Sequence, residues 1–509
     1  MHEVTPSAST TAGRVTGASH RDVVRFLGVP YAGSTAGPRR LRPPVPPDPW
    51  NGERDCTRHG AICPQVILPE GLSVFPDLSG RGRPQSEDCL AVDVYTPAAD
   101  GALRPTVVWL HGGAFVSGSA GCPLYDGSSF ARDGVVFVGV NYRLHGLGYL
   151  YLDELFGLPG AGNCGLADQV AALIWVHDNI AAFGGDPDQV TVVGESAGAM
   201  SAATLLAVPA ARGLFRRIVA LSGAAHHNLL PESAERVARR VLERAAVPIG
   251  DHDALAAVPA ATIAAVAQQV AFMDAEELLV GEHAGVRTVF APVVDGGLVP
   301  RRAIDAVVAG SSDGVDAVIA TCADEYRVFI WGLPEPLRSM VPPPDPTAYF
   351  RTTERDPATV VAAYQSNRPG AGQLDVAAAI AGDAVFGIPA VRLLEAKAGR
   401  GDRVWAHEMA WPTPVLDGSL GACHGLDLPF LFDDLGHPGF VGPEPPQAVA
   451  DDLHGLCVRF ASGGDPNGGR LPPWRVYDSA SRSVMRLHET SGVVHDPRAA
   501  ERIVWEGTW

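Results

Sequence analysis

Short apolar runs recur along the chain, each cut off by glycine or small polar residues, and longer amphipathic stretches lie between them. Residues 190–193 (VTVV) form an unbroken β-branched run, as in a strand buried on both faces. Residues 106–110 (TVVWL), 135–140, 218–222, 316–321 and 403–409 read the same way, and 91–96 alternates like a strand. Residues 166–179 and 199–207 read as helices, and 232–283 as alanine-rich amphipathic helices inserted over the sheet. Strands separated by helical segments predict an α/β chain with a mostly parallel, doubly wound central sheet flanked by helices. An antiparallel hairpin is expected over 14–31, and 38–50 is too rich in proline for anything but extended coil. In such a sheet, ligands gather at the carboxyl ends of the strands.

Several of those ends carry chemistry. Gly194-Glu195-Ser196-Ala197-Gly198 breaks the 190–193 strand just before a helix. A strand turning directly into a helix forces its corner residue into strained backbone. Only small residues two before and two after the corner let the neighbouring backbones approach, and the serine hydroxyl is pushed clear of its own chain. With 57 glycines in the chain the bare G-x-S-x-G pattern is weak, so the flanking strand and helix carry the assignment. His111-Gly112-Gly113-Ala114 follows the 106–110 strand. The N–H groups of Gly113 and Ala114, with that of Ala197, are placed to hold a developing oxyanion, at about 3–4 kcal/mol per donor. His111, inside a tight glycine turn, is read as shaping that loop.

A serine hydroxyl needs a base, histidine titrates near neutrality, and a carboxylate on the far ring nitrogen fixes the tautomer. Asp324 and Glu325 follow the 316–321 strand, and His424 follows the 403–409 strand. The order Ser196, Glu325, His424 is that of α/β-hydrolases. Periodicity alone does not choose His424 among 16 histidines, nor Glu325 over Asp324.

Composition narrows the alternatives. Hydrophobic residues make up 46% of the 509 positions and charged ones 19%, as in a globular chain with ample core. The net charge is −18 with no basic run, which argues against nucleic-acid and anionic-membrane partners. Lys397 is the only lysine, so no P-loop exists; it reads as a solvated helix end. Gly160-Ala161-Gly162-Asn163-Cys164-Gly165 matches G-x-G-x-x-G, but a loop rather than a strand precedes it, so no dinucleotide is expected. His226 and His227 read as a polar loop. Eight cysteines lack C-x-x-C spacing, and neither a metal nor an organic cofactor is expected. The N-terminus lacks the basic start and apolar core of a secretory signal, and no apolar run reaches roughly eighteen residues. A cytoplasmic location follows as an expectation.

The blocks FLGVPYAG (26–33), SEDCLAVDVYTP (86–97), HGGAFVSGS (111–119), NYRLHGLGYL (141–150), 162–199, APVVDGG (291–297), ADEYRVF (323–329) and HGLDLPFLF (424–432) resemble type-B carboxylesterases in register, nearly end to end. That family includes bacterial p-nitrobenzyl esterases, liver carboxylesterases, cholinesterases and neuroligins. The resemblance implies an α/β-hydrolase fold with Ser196 as nucleophile, Glu325 as acid and His424 as base. It also implies an oxyanion hole of Gly113, Ala114 and Ala197, a buried carboxylate at Glu195 and a second serine at Ser222. One hydrolase domain is expected over 1–509, with helical insertions near 230–290 and 330–380 lining a substrate gorge.

Departures from the pattern also inform. Tyr326 stands where the family acid is usually followed by glycine, and Cys164 where Asn-Trp-Gly is usual. Cys63 and Cys89 resemble the family's first disulfide, expected to stay open without an export signal. The loop between them holds no tryptophan, whereas cholinesterases place a cation-binding one there. The implied substrate is a small, neutral, apolar carboxylic ester, split through an acyl-enzyme. A silent, neuroligin-like binding protein is the alternative of another class. Amidase, carbamate hydrolase and acyltransferase would use the same triad, and monomer and small homo-oligomer both stay open.

Overall fold

The computed structural model describes residues 5–69, 71–72, 74–279, 282, 288–334, 337–340, 345, 349–350 and 355–508. An eleven-stranded sheet organises them. Seven consecutive members are parallel, in the spatial order Val136–Val140, Arg104–Leu110, Gly185–Glu195, Arg217–Leu221, Asp316–Cys322, Val404–Met409 and Ser483–Leu487. Antiparallel Ala91–Thr96, Val23–Pro30 and Ala18–His20 extend one edge, and Gly492–His495 closes the other. This is the mostly parallel sheet that the apolar runs imply.

Side-chain alternation explains why the central runs are apolar throughout. Val190 and Val192 enter one core layer with Val108, Ile218, Ile319 and Val404. That layer packs against helices Cys164–Asn179, Ala197–Leu205 and Ile388–Gly399. Val193 enters the opposite layer with Val107, Trp109, Val219 and Trp405, beneath helix Gln447–Gly463. With both faces covered, water-facing positions have no place in these strands.

Three local expectations change. Arg14–Thr16 pairs with Ser7–Ser9 and Glu53–Asp55 in a separate three-stranded sheet, so the hairpin is Ala18–His20 with Val23–Pro30. Gly17 is the crossing point, where a Cβ would collide with the Arg25 carbonyl. Lys397 is buried rather than solvated: its ammonium lies 2.8 Å from Asp402 and donates to Ser312 Oγ at 3.2 Å. His226 and His227 are buried as well. The insertions form helices Pro231–Arg244, His252–Ala257, Ala260–Met273 and Ala275–Leu278, then Leu337–Met340, Pro357–Ser366 and Gln373–Gly382. Residues 280–281, 283–287, 335–336, 341–344, 346–348 and 351–354 of those expected insertions lie outside the described residues. The run 373–399 has the length and apolarity of a membrane span, yet 72% of its most apolar window is buried inside the protein.

Four histidines are held neutral by burial. His111, His145 and His227 are pushed down to about 4 and His407 to about 3; only backbone hydrogen bonds oppose the shift at the first three. A histidine whose folded pKa lies below the unfolded value near 6.5 gives full stability above that pH and loses it as pH falls. At pH 5 the loss at His407 is about 2 kcal/mol. Denaturant unfolding of wild type and His407→Leu at pH 7.5 and pH 5 checks this. The variant is expected to gain about 2 kcal/mol on wild type at the lower pH; an unchanged gap refutes it.

Candidate active site

The nucleophile elbow is built by exclusion. Ser196 has φ 54° and ψ −123°, a conformation costing on the order of 1–3 kcal/mol for a residue with a side chain. Its N–H donates to Leu221 O at 2.9 Å, and its carbonyl accepts from Met200 N at 2.9 Å. A Cβ on Gly194 would overlap the Gly198 carbonyl, and one on Gly198 would overlap the Leu110 carbonyl. The helix therefore starts at Ala197, two residues before the expected start, because the serine itself is the corner.

The glycine loop after Leu110 lies over this corner. A Cβ on Gly112 would stand 3.2 Å from Ser196 Cβ and 2.5 Å from Glu195 Oε2. Gly113, Ala114 and Phe115 all have positive φ, at 113°, 54° and 60°. The Gly113 carbonyl accepts from Val116 and Ser117, while the N–H groups of Gly113 and Ala114 make no hydrogen bond among the described residues. Ala197 N–H belongs to the first helical turn, whose donors lack intrahelical partners. His111 shapes this loop as expected: its ring stacks on Tyr142 at 4.3 Å and its Nδ1 bonds the Gly112 carbonyl at 2.8 Å.

Glu325 and His424 meet at the next strand ends. His424 Nδ1 lies 2.7 Å from Glu325 Oε2, and Glu325 Oε1 accepts the Cys322 N–H at 2.8 Å. Asp324 turns the other way, accepting the Ala422 N–H at 3.0 Å. Its carboxylate fills the space beside Gly421, at φ 61°. Tyr326 adopts φ −85° and ψ −8°, ordinary helical backbone, so the turn does not need the glycine it replaces. Ser222, also at positive φ, contacts Sγ of Cys322 at 3.9 Å, the residue whose N–H donates to the acid.

Glu195 supplies a second carboxylate. Its Oε1 lies 3.1 Å from His424 Nε2 without hydrogen-bond alignment, and both its oxygens are buried and unbonded among the described residues. Ser196 Oγ makes no hydrogen bond among them either; such bonds are commonly long before substrate arrives. Burial lowers the His424 pKa, but Glu195 and Glu325 outweigh it and push it up to about 9. Burial pushes Glu195 up to about 8, opposed by His424 and reinforced by Asp427 and Glu325. Asp427 rises to about 7 through burial and the Glu325 charge. Glu195, Glu325 and Asp427 thus place three carboxyl groups in one buried charge cluster with the imidazole.

Sequence reasoning missed Asp427 and the two aromatic rings on His424, Phe386 at 4.5 Å and Phe329 at 5.2 Å between centroids. Phe329 and Asp427 sit inside quoted blocks, ADEYRVF and HGLDLPFLF, so their neighbourhood was visible; Phe386 carries no pattern at all. Among the described residues no three His, Cys, Asp or Glu side chains are grouped to hold a metal. All eight cysteines are unpaired and buried, Cys63 with its thiol beside that of Cys89.

Residues 4–505 match the family model described as the carboxylesterase family. The chain belongs to that family. It is 33% identical over 508 residues to para-nitrobenzyl esterase of Bacillus subtilis, with 97% of each chain covered. It is 34% identical over 489 residues to phenmedipham hydrolase of Pseudarthrobacter oxydans, with 94% of each covered. A crystal structure of a Geobacillus stearothermophilus carboxylesterase superposes with a TM-score of 0.84 at 35% identity, covering 98% of this chain and 100% of that one. The protein is accordingly a carboxylic ester hydrolase of the α/β-hydrolase fold, a serine hydrolase acting on small esters.

Proposed function

We propose that this carboxylesterase cleaves neutral, apolar carboxylic esters through an acyl-enzyme on Ser196. His424 acts as base and Glu325 as the acid that orients it; Gly113, Ala114 and Ala197 form the oxyanion hole. The observation that carries the reading is the buried His424–Glu325 contact of 2.7 Å at strand ends beside the strained Ser196 corner. His424 takes the Ser196 proton as the hydroxyl oxygen attacks the ester carbonyl, and later gives it to the leaving alkoxide. Water repeats the sequence on the acyl-enzyme and releases the acid. The free N–H groups of the glycine loop support the oxyanion assignment, because donors already aimed cost nothing to reorganise at the transition state. The inserted helices at 230–290 and 330–380 then wall one hydrolase domain's substrate gorge.

The test is an organophosphate, which should add one mass increment on the Ser196 peptide and stop hydrolysis; labelling elsewhere refutes the assignment. The apolar substrate class rests on the aromatic rings facing His424 and on a 63–89 segment without tryptophan. That segment instead places Phe75 beside Gly425, where a Cβ would overlap the ring. Choline esters are expected to give a kcat/KM about tenfold or more below uncharged esters of equal acyl length, lacking cation–π compensation for desolvating the ammonium. A preference for the choline ester overturns the apolar-pocket reading.

A further inference from the structure

The helix that returns the second insertion to the sheet is not continuous α. Gln373–Gly382 passes into a π turn at Asp383–Gly387 and resumes as Ile388–Gly399. Single π turns inside α-helices occur frequently at functional sites. This one carries Phe386, whose ring lies 4.5 Å from the His424 ring at a tilt of 32°. It follows Gly382, where a Cβ would stand 3.3 Å from Glu325 Cβ. The irregular turn and the glycine just before it thus lie against both members of the His–Glu pair.

A buried chain of polar groups holds that turn. The Trp505 indole N–H donates to the Tyr364 hydroxyl at 2.8 Å, and the hydroxyl donates to Asp383 Oδ2 at 2.5 Å. The second Asp383 oxygen packs over Gly387, where any Cβ would overlap it. Tyr364 is fully buried, and burial lifts its pKa well above the ordinary phenol range, so it stays a donor. Trp505 comes from the C-terminal segment, which is tied down by Glu501 to Arg368 and Asn367 and by the Trp505 carbonyl to Arg392. A cavity of about 490 Å³ borders the turn, lined in part by Glu325, Gly382, Asp383 and Gly387. A turn released from its hold has room to shift there.

We propose that Tyr364, held by Trp505, is a positioning residue for the active site. Through Asp383 it fixes the π turn and so sets Phe386 against His424, shaping the substrate wall. The inference rests on the triad reading above. A merely structural Tyr364 would change the folded fraction and leave the kinetics of folded enzyme alone. A positioning Tyr364 acts through Phe386, and the two residues must couple.

A double-mutant cycle on the full chain decides it, with Tyr364→Phe, Phe386→Ala and the double variant assayed on a bulky aryl ester and on an acetate ester. Active sites are counted by organophosphate titration of Ser196, so that failure of the titration in wild type refutes the triad reading and nothing else. Tyr364→Phe is expected to lower kcat/KM on the bulky ester about tenfold, as small misplacements near reacting groups do, and less on the acetate. In the Phe386→Ala background it should change kcat/KM by less than about twofold. Multiplying effects, or wild-type kinetics in Tyr364→Phe, overturn the proposal. Should Tyr364→Phe not fold, Trp505→Phe removes the indole N–H together with one ring of the buried side chain and, per folded enzyme, must show the same coupling to Phe386; multiplying effects there overturn it equally.

Discussion

Ser196→Ala is expected to fold normally and to lose ester hydrolysis by a factor on the order of 10⁶ in kcat, the scale seen when a triad nucleophile is removed. The fold survives because the corner needs a small side chain, and alanine meets the same neighbours as serine at φ 54°. The two backbone bonds of residue 196, to Leu221 O and from Met200 N, do not involve the hydroxyl. What disappears is the attacking oxygen. His424→Ala should lose a similar factor, and the double variant should be no worse than either single, since groups that act as a unit are not additive. Hydrolysis of a p-nitrophenyl ester, with thermal unfolding as the control on folding, measures all three. A Ser196→Ala enzyme retaining more than about 1% of kcat would exclude the serine mechanism.

Glu325→Gln should lower kcat by about 10⁴-fold, while Asp324→Asn leaves kcat of the folded enzyme nearly unchanged. In wild type the Glu325 carboxylate accepts twice, from Cys322 N–H at 2.8 Å and from the imidazole at 2.7 Å. Glutamine can keep the first bond only by turning its NH₂ toward His424 Nδ1. That nitrogen must then accept, the ring proton moves to Nε2, and the base can no longer take the serine proton. The charge matters too. Glu195 and Glu325 together hold the His424 pKa up to about 9 against burial. Removing one carboxylate lowers that value, so the acid limb of any residual kcat/KM profile moves to lower pH. Asp324 instead accepts the Ala422 N–H at 3.0 Å, a bond that asparagine reproduces. The reverse ranking of the two variants would reassign the acid to Asp324.

The contrast between these neighbours marks where the sequence stops being sufficient. Adjacent carboxylates after one strand are equivalent in pattern, and the resemblance to a family, not periodicity, favours Glu325. In the structure the choice follows from the loop: Asp324 is consumed by the Ala422 N–H beside Gly421, which leaves only Glu325 directed at His424. Lys397 gives the opposite lesson. Its sequence surroundings look solvent-exposed, yet it is buried because Asp402 and Ser312, one of them 85 residues away, satisfy its ammonium.

The sequence by itself determined the parallel sheet, the elbow and the glycine loop. Each depends on contacts within a few residues or on a period of two, and apolar runs buried on both faces leave no doubt about what covers them. The tertiary structure alone decided which histidine meets which carboxylate, and that Glu195, Glu325 and Asp427 crowd one imidazole. It alone placed Phe386 on His424, from a π turn tied to Trp505 at the far end of the chain. Apart from Asp427, three residues from His424, those outcomes join positions tens to hundreds of residues apart, and no local propensity encodes them. They arise because burial leaves polar groups only one another to satisfy, and the packed core fixes which of them come within reach.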